Sequence, residues 1–307
     1  MKILPLYRSA TGLADKLDAM RVVYNAETGV LGLSQANDIT IDLSGAIKSR
    51  PGFSLLQSGY FSNLFSCGEY GLCEYNGNLC LINENLSIAQ LVPVYTNQLA
   101  YAQVFNNVQD CVYFSDGVQT GVLRDKVYSP WNATSYVGVQ STEMQAKRFA
   151  AKIPAGHIIC VFNGVMYIAY DNLVIPSEPF SYTWFDLEKT FAFDSRITMI
   201  ASVISGLYIS TQSRVYFLAG ATPKLFSRKI VLDSGVVEGT VHKHLGSALG
   251  LQTGNEVLTF VTKNSGLCIA TEDGAVTSYS DTHVNCPEGK RGSSYVFDHN
   301  LITSILY

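Results

Sequence analysis

Five turn signals recur along this chain at nearly even spacing, and apolar residues follow each one at once. Asn76-Gly77, Asp116-Gly117, Asn163-Gly164, Ser205-Gly206 and Gly254-Asn255 place glycines at 77, 117, 164, 206 and 254, at intervals of 40, 47, 42 and 48 residues. Asn-Gly and Asp-Gly close tight hairpins readily, because the favoured two-residue turn needs positive φ at its centre. The strands near these signals resemble one another: Gly71-Leu72-Cys73, Val165-Met166-Tyr167-Ile168, Gly206-Leu207-Tyr208-Ile209 and Gly266-Leu267-Cys268-Ile269. A hairpin repeat of about 40–50 residues is the period of a four-stranded propeller blade. One small twisted sheet cannot bury both its faces alone, whereas sheets stacked around an axis cover one another. The reading is an all-β fold, a β-propeller of about five to six small antiparallel blades. Two features break the rhythm: the 60 residues from Gly206 to Gly266, and an aromatic insertion, Tyr182-Thr183-Trp184-Phe185. They keep an irregular β-sandwich or barrel as the alternative.

Helical periodicity is nearly absent. Leu13, Leu17 and Met20 behind Thr11 predict one short helix over 10–21, and Glu143 to Ala151 is a shorter second candidate. Residues 1–27 precede the repeats and read as an N-terminal arm docked outside the ring, with residues 28–307 as the propeller domain. The chain ends in Leu301-Ile302-Thr303-Ser304-Ile305-Leu306-Tyr307, an apolar strand without a polar tail. Left unpaired, such a strand is an aggregation-prone edge. It is therefore expected to pair with an early strand, Val30 to Leu33 or Ile39 to Leu43, joining the N- and C-terminal strands in a shared blade.

Composition removes several function classes. Charged residues are 15% and hydrophobic residues 47%, the opposite of the balance that keeps a chain disordered. The 21 basic residues are outnumbered by 25 acidic ones and form no run, which argues against a nucleic-acid groove. No apolar stretch approaches the ~18 residues of a membrane span, and the run Ile3 to Tyr7 is too short for a signal-peptide core. Synthesis in a cytosol without Sec-type export is expected. Seven cysteines, an odd number without any C-x-x-C spacing, argue against both a disulfide framework and a zinc site. Cys73, Cys80, Cys160 and Cys268 read as core thiols.

Candidate chemistry is sparse. His242-Lys243-His244 puts two imidazoles on one strand face, with Glu238 as the nearest third ligand; two ligands do not make a metal site. Asp186, Glu188 and Asp194 flank the aromatic insertion and could meet a sugar stacked on Trp184, but turn capping explains such carboxylates equally well. Ser115-Asp116-Gly117 is the nearest string to a glycosidase blade box and lacks the rest. Gly250-Leu251-Gln252-Thr253-Gly254 is a turn between strands, not a phosphate cradle. No catalytic residue, cofactor or metal ligand is assigned. Trp184, Phe185 and Asp186 remain as a candidate glycan or receptor loop.

Two stretches carry a resemblance. Gly45-Ala46-Ile47-Lys48-Ser49-Arg50-Pro51-Gly52-Phe53, after the strand from Ile39 to Leu43, resembles the opening of tailed-bacteriophage virion proteins with β-propeller domains. Arg214-Val215-Tyr216-Phe217-Leu218-Ala219-Gly220-Ala221-Thr222-Pro223, followed by Gly266-Leu267-Cys268-Ile269 and Asp273-Gly274, resembles the late blades of the same group. The group includes hub or nozzle proteins of short tails and tail-tip proteins. The resemblance implies a non-enzymatic virion protein in the tail, made in the bacterial host cytoplasm. It further implies a homo-oligomeric ring, sixfold by analogy, whose partners are tube or adaptor and tip or fibre proteins. Such a ring would form part of the DNA exit path, where the net charge of −4 would give an anionic wall that repels phosphates. A receptor- or glycan-binding tail-tip propeller is the first alternative, and a polysaccharide-degrading enzyme the second.

Overall fold

Asn76 (φ 49°) with Gly77 (φ 77°), and Asn163 (φ 47°) with Gly164 (φ 72°), are all left-handed. That is the backbone of a two-residue hairpin turn whose twist matches the strands it joins. Hairpins of this kind organise the computed structural model, which describes residues 9–13, 24–25, 30–33, 39–41, 46–49, 54–55, 57–96, 98–105, 110–131, 150–151, 153–249, 251, 253–264, 266–278, 289–297 and 300–306. The N-terminal strands are β1 (Ser9–Leu13), β2 (Tyr24–Asn25), β3 (Val30–Leu33), β4 (Ile39–Ile41) and β5 (Ile47–Ser49). Five antiparallel sheets follow. Blade 1 holds β6 (Phe61–Ser66), β7 (Gly71–Tyr75), β8 (Asn78–Ile82) and β9 (Ile88–Pro93). Blade 2 holds β10 (Ala100–Phe105), β11 (Asp110–Ser115), β12 (Thr120–Arg124) and β13 (Val127–Pro130).

Blade 3 is larger. It begins with β14 (Ala150–Ala151), β15 (Ile158–Phe162), β16 (Val165–Tyr170) and β17 (Leu173–Glu178), and adds β18 (Ser181–Asp186) and β19 (Phe191–Ala192). Blade 4 holds β20 (Ile197–Val203), β21 (Gly206–Thr211), β22 (Val215–Ala219) and β23 (Ser227–Leu232). Blade 5 holds β24 (His242–Leu245), β25 (Glu256–Thr262), β26 (Gly266–Ala270) and β27 (Val276–Ser278), and the hairpin β28 (Arg291–Phe297)–β29 (Asn300–Leu306) follows it. Five small sheets in a ring make a five-bladed β-propeller.

Period-two alternation explains the stacking. Val112 and Phe114 of β11 pack with Leu72 and Leu79 of blade 1, while Cys111 and Tyr113, one residue out of step, pack with Met166 and Ile168 of blade 3. On β16 itself Tyr167 and Ala169 turn to Leu207 and Ile209 of blade 4, and Tyr208 next door turns to Leu258 and Phe260 of blade 5. The middle strands are thus buried on both faces. That is why they read in sequence as continuous apolar runs rather than alternating ones.

Several sequence expectations need correction. Ala10 to Leu13 lies in β1, paired parallel with β3, instead of in a helix. Gly12 within the expected helix is a poor helix former, and the strand ladder satisfies the backbone there. Residues 14–21 and 143–149 lie outside the described residues, and Ala150–Ala151 is a strand against Phe185 and Asp186. The arm boundary at residue 27 falls inside one sheet, because β1 and β2 flank β3 on its two edges. The C-terminal strand β29 pairs with β28, and among the described residues it makes no ladder with β3 or β4. A hairpin loop of two residues closes at far lower entropic cost than a contact between chain ends.

The turn period marks blades but not equivalent turns. Gly77 and Gly117 lie between the second and third strands of blades 1 and 2, whereas Gly164 and Gly206 lie between the first and second strands of blades 3 and 4. Gly266 likewise opens a third strand, where Gly71 and Gly206 open second ones. This offset accounts for the uneven intervals.

Gly206 is fixed by close approach, since a Cβ there would collide with the Leu218 carbonyl oxygen of the neighbouring strand. Gly206→Ala is expected to lower stability by about 1–3 kcal/mol in urea unfolding. Gly254→Ala, in open space, is expected to stay within about 0.5 kcal/mol of the parent.

Candidate functional site at the propeller axis

The first strands of successive blades lie side by side, β10 beside β15 and β15 beside β20, and line the ring axis. Polar side chains stand at or just ahead of these strands: Gln98 before β10, His157 before β15, Arg196 before β20 and Glu238 before β24. Arg291 opens β28. A cavity of about 610 Å³ at this mouth is lined by Gln98, His157, Asp171, Arg196 and Arg291 among others. A second, of about 530 Å³, runs on past Gln98, His157, Thr198 and Glu238 to Ser62 and Ser304.

Three of these side chains tie together across the axis. Gln98 Nε2 donates to Glu238 Oε2 at 3.3 Å, Arg196 Nη2 donates to Gln98 Oε1 at 3.3 Å, and Arg196 Nε lies 3.7 Å from Glu238 Oε1. The ion pair is partly solvated and long, so by itself it contributes at most about 1 kcal/mol. Its value is geometric, because the triangle links blades 2, 4 and 5. Glu238 is also held by its backbone: its carbonyl accepts from Gly292 N–H at 2.7 Å beside a parallel bridge to Arg291. Gly239 and Gly292 make that seam close, since a Cβ on Gly239 would strike the Gly292 carbonyl oxygen.

His157 is buried at the same level. Its Nε2–H donates to the Ile197 carbonyl at 2.8 Å, which fixes the tautomer. Burial, with Arg196 as a further opposing charge, holds its pKa below the ordinary value of 6.5 even though the Ile197 bond and the Glu238 and Asp171 carboxylates act the other way. The carboxylate, amide and guanidinium groups here satisfy one another, so the arrangement acts as a polar tie across the ring. The axial wall also carries both signs, Arg196 and Arg291 with Glu238 and Asp171. The uniformly anionic wall expected for a DNA path is not what lines this axis.

The segment singled out in sequence lies elsewhere and is buried. Trp184 is 8% exposed, Phe185 0% and Asp186 2%. Strand β18 folds back on β17, and Phe185 packs with Trp131 of blade 2 in an edge contact with centroids 6.0 Å apart. Trp131 Nε1 donates to the Tyr182 carbonyl at 2.9 Å. Asp186 caps the short turn of 3-10 helix Leu187–Lys189 and pairs with Lys189 at 2.6 Å. Phe185 is therefore part of the blade 2–blade 3 junction, with Trp184 and Asp186 buried beside it in the chain, a correction to their reading as an exposed glycan or receptor loop. Apolar burial outweighs display for such an aromatic run.

Other candidates resolve as structural parts. Asp194 accepts from Ser213 Oγ at 2.7 Å. Asp116 accepts from Val118 N, Gln119 N and Tyr95 N, at 2.9, 2.7 and 2.9 Å, and so holds a hairpin turn. His242 and His244 do share a face, with ring centroids 5.7 Å apart. His244 Nδ1 and Nε2 lie near the Leu245 carbonyl and Thr259 Oγ1, while Glu238 faces Arg196. Among the described residues no group of three or more His, Cys, Asp or Glu is placed to hold a metal ion. Cys73, Cys80 and Cys268 are fully buried and Cys160 partly so; burial and the neighbouring Cys80 push the Cys73 thiol up to about 11. Sequence reasoning missed Gln98, His157, Arg196 and Arg291, and considered Glu238 only as a third ligand beside His242 and His244. The signal that finds them is a polar residue recurring at the start of each inner strand once the blades are aligned.

No family model and no curated protein matches this sequence. Solved structures do. A crystal structure of BBS1N in complex with ARL6DN superposes with a TM-score of 0.53 at 9% identity, covering 84% of this chain and 80% of that one. The extracellular domain of the one component system BT4673 from B. thetaiotaomicron gives a TM-score of 0.49 at 8% identity, covering 85% of this chain and 33% of that one. The likeness is one of fold. At 9% identity the first match supports the propeller architecture and nothing finer. No helix among the described residues is long and apolar enough to cross a membrane.

Two outcomes follow from this geometry. Because the folded state holds His157 below pH 6.5, its contribution is fully present above that pH and is lost as pH falls through 6.5 toward the folded value. Tm measured from pH 8 to pH 5 should drop on the acid side, and His157→Gln should flatten that drop. His242, whose pKa is lowered by burial and by His244, contributes to the slope that remains. Phe185→Ala is expected to cost about 3–5 kcal/mol in chemical unfolding. A ligand-contact role would instead leave stability unchanged.

Proposed function

We propose that this chain is a non-catalytic structural protein of a tailed-bacteriophage virion. In this reading it is a hub, nozzle or tail-tip component that joins the tail tube or its adaptor to tip or fibre proteins. It works as a homo-oligomeric ring. The observation that carries the reading is where the two resembling stretches fall in the fold. The first runs through β5, immediately ahead of blade 1. The second is β22 of blade 4 with the turn after it, and its companions Gly266–Ile269 and Asp273-Gly274 lie in blade 5. An opening stretch ahead of the first blade and late-blade words in late blades follow the order of the resemblance.

The surface supports the same reading. Leu55, Tyr60, Leu64 and Tyr95, all around blade 1, are strongly exposed, with Tyr60 90% accessible. Phe180 and Leu225, on blades 3 and 4, are exposed as well, and large exposed apolar side chains on a low-charge protein fit a subunit whose neighbours cover it. Closed rotational symmetry is the usual route by which identical subunits do so. Any DNA path belongs to the opening of such a ring and not to the propeller axis, which Gln98, Arg196 and Glu238 span. The tied carboxylates at the axis and at Asp186 support a part without chemistry of its own.

Gold-labelled antibody against this chain, applied to purified particles of the phage that encodes it, tests the assignment. Label is expected at the tail hub or tip, in copies consistent with a ring. Label on the capsid, or a chain recovered only from cells and never with particles, would reject it.

A further inference from the structure

Asparagine or aspartate followed by glycine is among the most reactive pairs a protein chain can carry in plain water. The glycine nitrogen, with no Cβ beside it, can attack the side-chain carbonyl carbon of the residue before. The sequence holds four such pairs: Asn76-Gly77, Asp116-Gly117, Asn163-Gly164 and Asp273-Gly274. All four glycines lie in turns at positive φ, and the Asn76 and Asn163 turns have nearly the same backbone angles. What separates the four is what touches the side chain and the glycine.

Three of them are held. Asp116 is buried, and its carboxylate accepts from the N–H groups of Tyr95, Val118 and Gln119. Asp273 accepts from Thr271 Oγ1 and from Ala275 N, bonds that hold its pKa below the ordinary carboxylate value, and Gly274 packs against the Phe217 ring. An ionised carboxylate has no leaving group, so attack on it is slow. Asn163 is exposed, but its Nδ2 donates to the Ala221 carbonyl at 3.2 Å. The Phe180 ring covers Gly164 so closely that a Cβ there would strike it.

The fourth pair has none of these restraints. Asn76 and Gly77 are both exposed, and a Cβ on Gly77 would meet nothing. The Asn76 main chain is engaged, its N–H with the Tyr60 carbonyl at 3.4 Å and its C=O with Asn78 Nδ2 at 3.3 Å. Its side-chain amide makes no hydrogen bond among the described residues and can swing toward the Gly77 nitrogen.

We propose that Asn76 is a self-modification site, where the folded chain converts asparagine to aspartate and isoaspartate. Gly77 N bonds to Asn76 Cγ, the Cγ–Nδ2 bond breaks, and the Gly77 N–H proton leaves with Nδ2 as ammonia. Water then opens the succinimide at either of its carbonyls. Asparagine and water give an acid and ammonia, with no change of oxidation state. The product places a negative charge beside Tyr60 and near Tyr95, because Val94 N–H donates to the Gly77 carbonyl at 2.9 Å. Isoaspartate also adds a methylene to the main chain of the turn between β7 and β8. An aged chain therefore presents a different blade 1 surface from a new one, whether or not the virion assignment holds.

Opening a succinimide takes one oxygen from the solvent, which makes the reaction traceable. The intact folded chain is held in heavy-oxygen water at pH 8, then digested at acid pH in ordinary water for peptide mass spectrometry. Label at residue 76 is expected to accumulate at least about tenfold faster than at 163, the ratio set by one side-chain hydrogen bond that must first break. Residues 116 and 273 are also expected to lag behind 76. In the same buffer with denaturing urea, the difference between 76 and 163 is expected to vanish. Equal or faster labelling at any of the other three sites in the folded chain overturns the proposal. So does a difference between 76 and 163 that survives unfolding, since it would belong to the local sequence and not to the fold.

Discussion

The structure depends on face-to-face burial between neighbouring sheets. Every middle strand carries apolar residues on both faces, and no sheet of four short strands can cover itself. Tyr113 and Phe114 are adjacent in sequence yet serve two different junctions, as are Met166 with Tyr167 and Leu207 with Tyr208. Each fully buried side chain of this size contributes about 1.5–3 kcal/mol relative to exposure, and it does so only if the next sheet is in place. Folding of one blade is therefore coupled to folding of the next, as in other stacked-repeat architectures. The tight turns, the glycine close approaches and the polar ties at the axis all take their geometry from that stacking.

The insertion in blade 3 shows the same constraint at work on an irregular segment. Strand β18 leaves the regular order, and β19 takes the fourth-strand place on β17. The extra strand is retained because it fills the wedge beside Trp131, where Tyr113, Tyr182 and Phe185 converge. A polar loop at that point would have left the Tyr113 and Trp131 rings facing water.

What could be read from the sequence follows from which signals are local. Turn chemistry is local: Asn76-Gly77 and Asn163-Gly164 announce their backbone, and a period of blade size emerges from them. The buried character of Cys73, Cys80 and Cys268 was legible for the same reason, since apolar neighbours in sequence become neighbours on a strand. Exposure is not local. Trp184-Phe185-Asp186 looks the same whether it faces solvent or an adjacent sheet, and only the position of Trp131 decides. The axial residues were hidden for a related reason. Gln98, Arg196 and Glu238 are far apart in the chain and share no motif, and what unites them is a common place just ahead of the inner strands of blades 2, 4 and 5. At the N-terminus, weak helical spacing around Leu13 gave way to the ladder between β1 and β3, a long-range pairing that no short window contains.

The contact among Gln98, Arg196 and Glu238 has a mechanical meaning. When each sheet touches only the two beside it, a ring can flatten into an oval with little disturbance to any one junction. A chord between sheets that are not neighbours opposes that deformation, because flattening must stretch it. Blades 2 and 4 are such a pair, and the amide of Gln98 holds the guanidinium of Arg196 between them. A load applied to one rim of this molecule would therefore reach the far side through its centre as well as around its circumference.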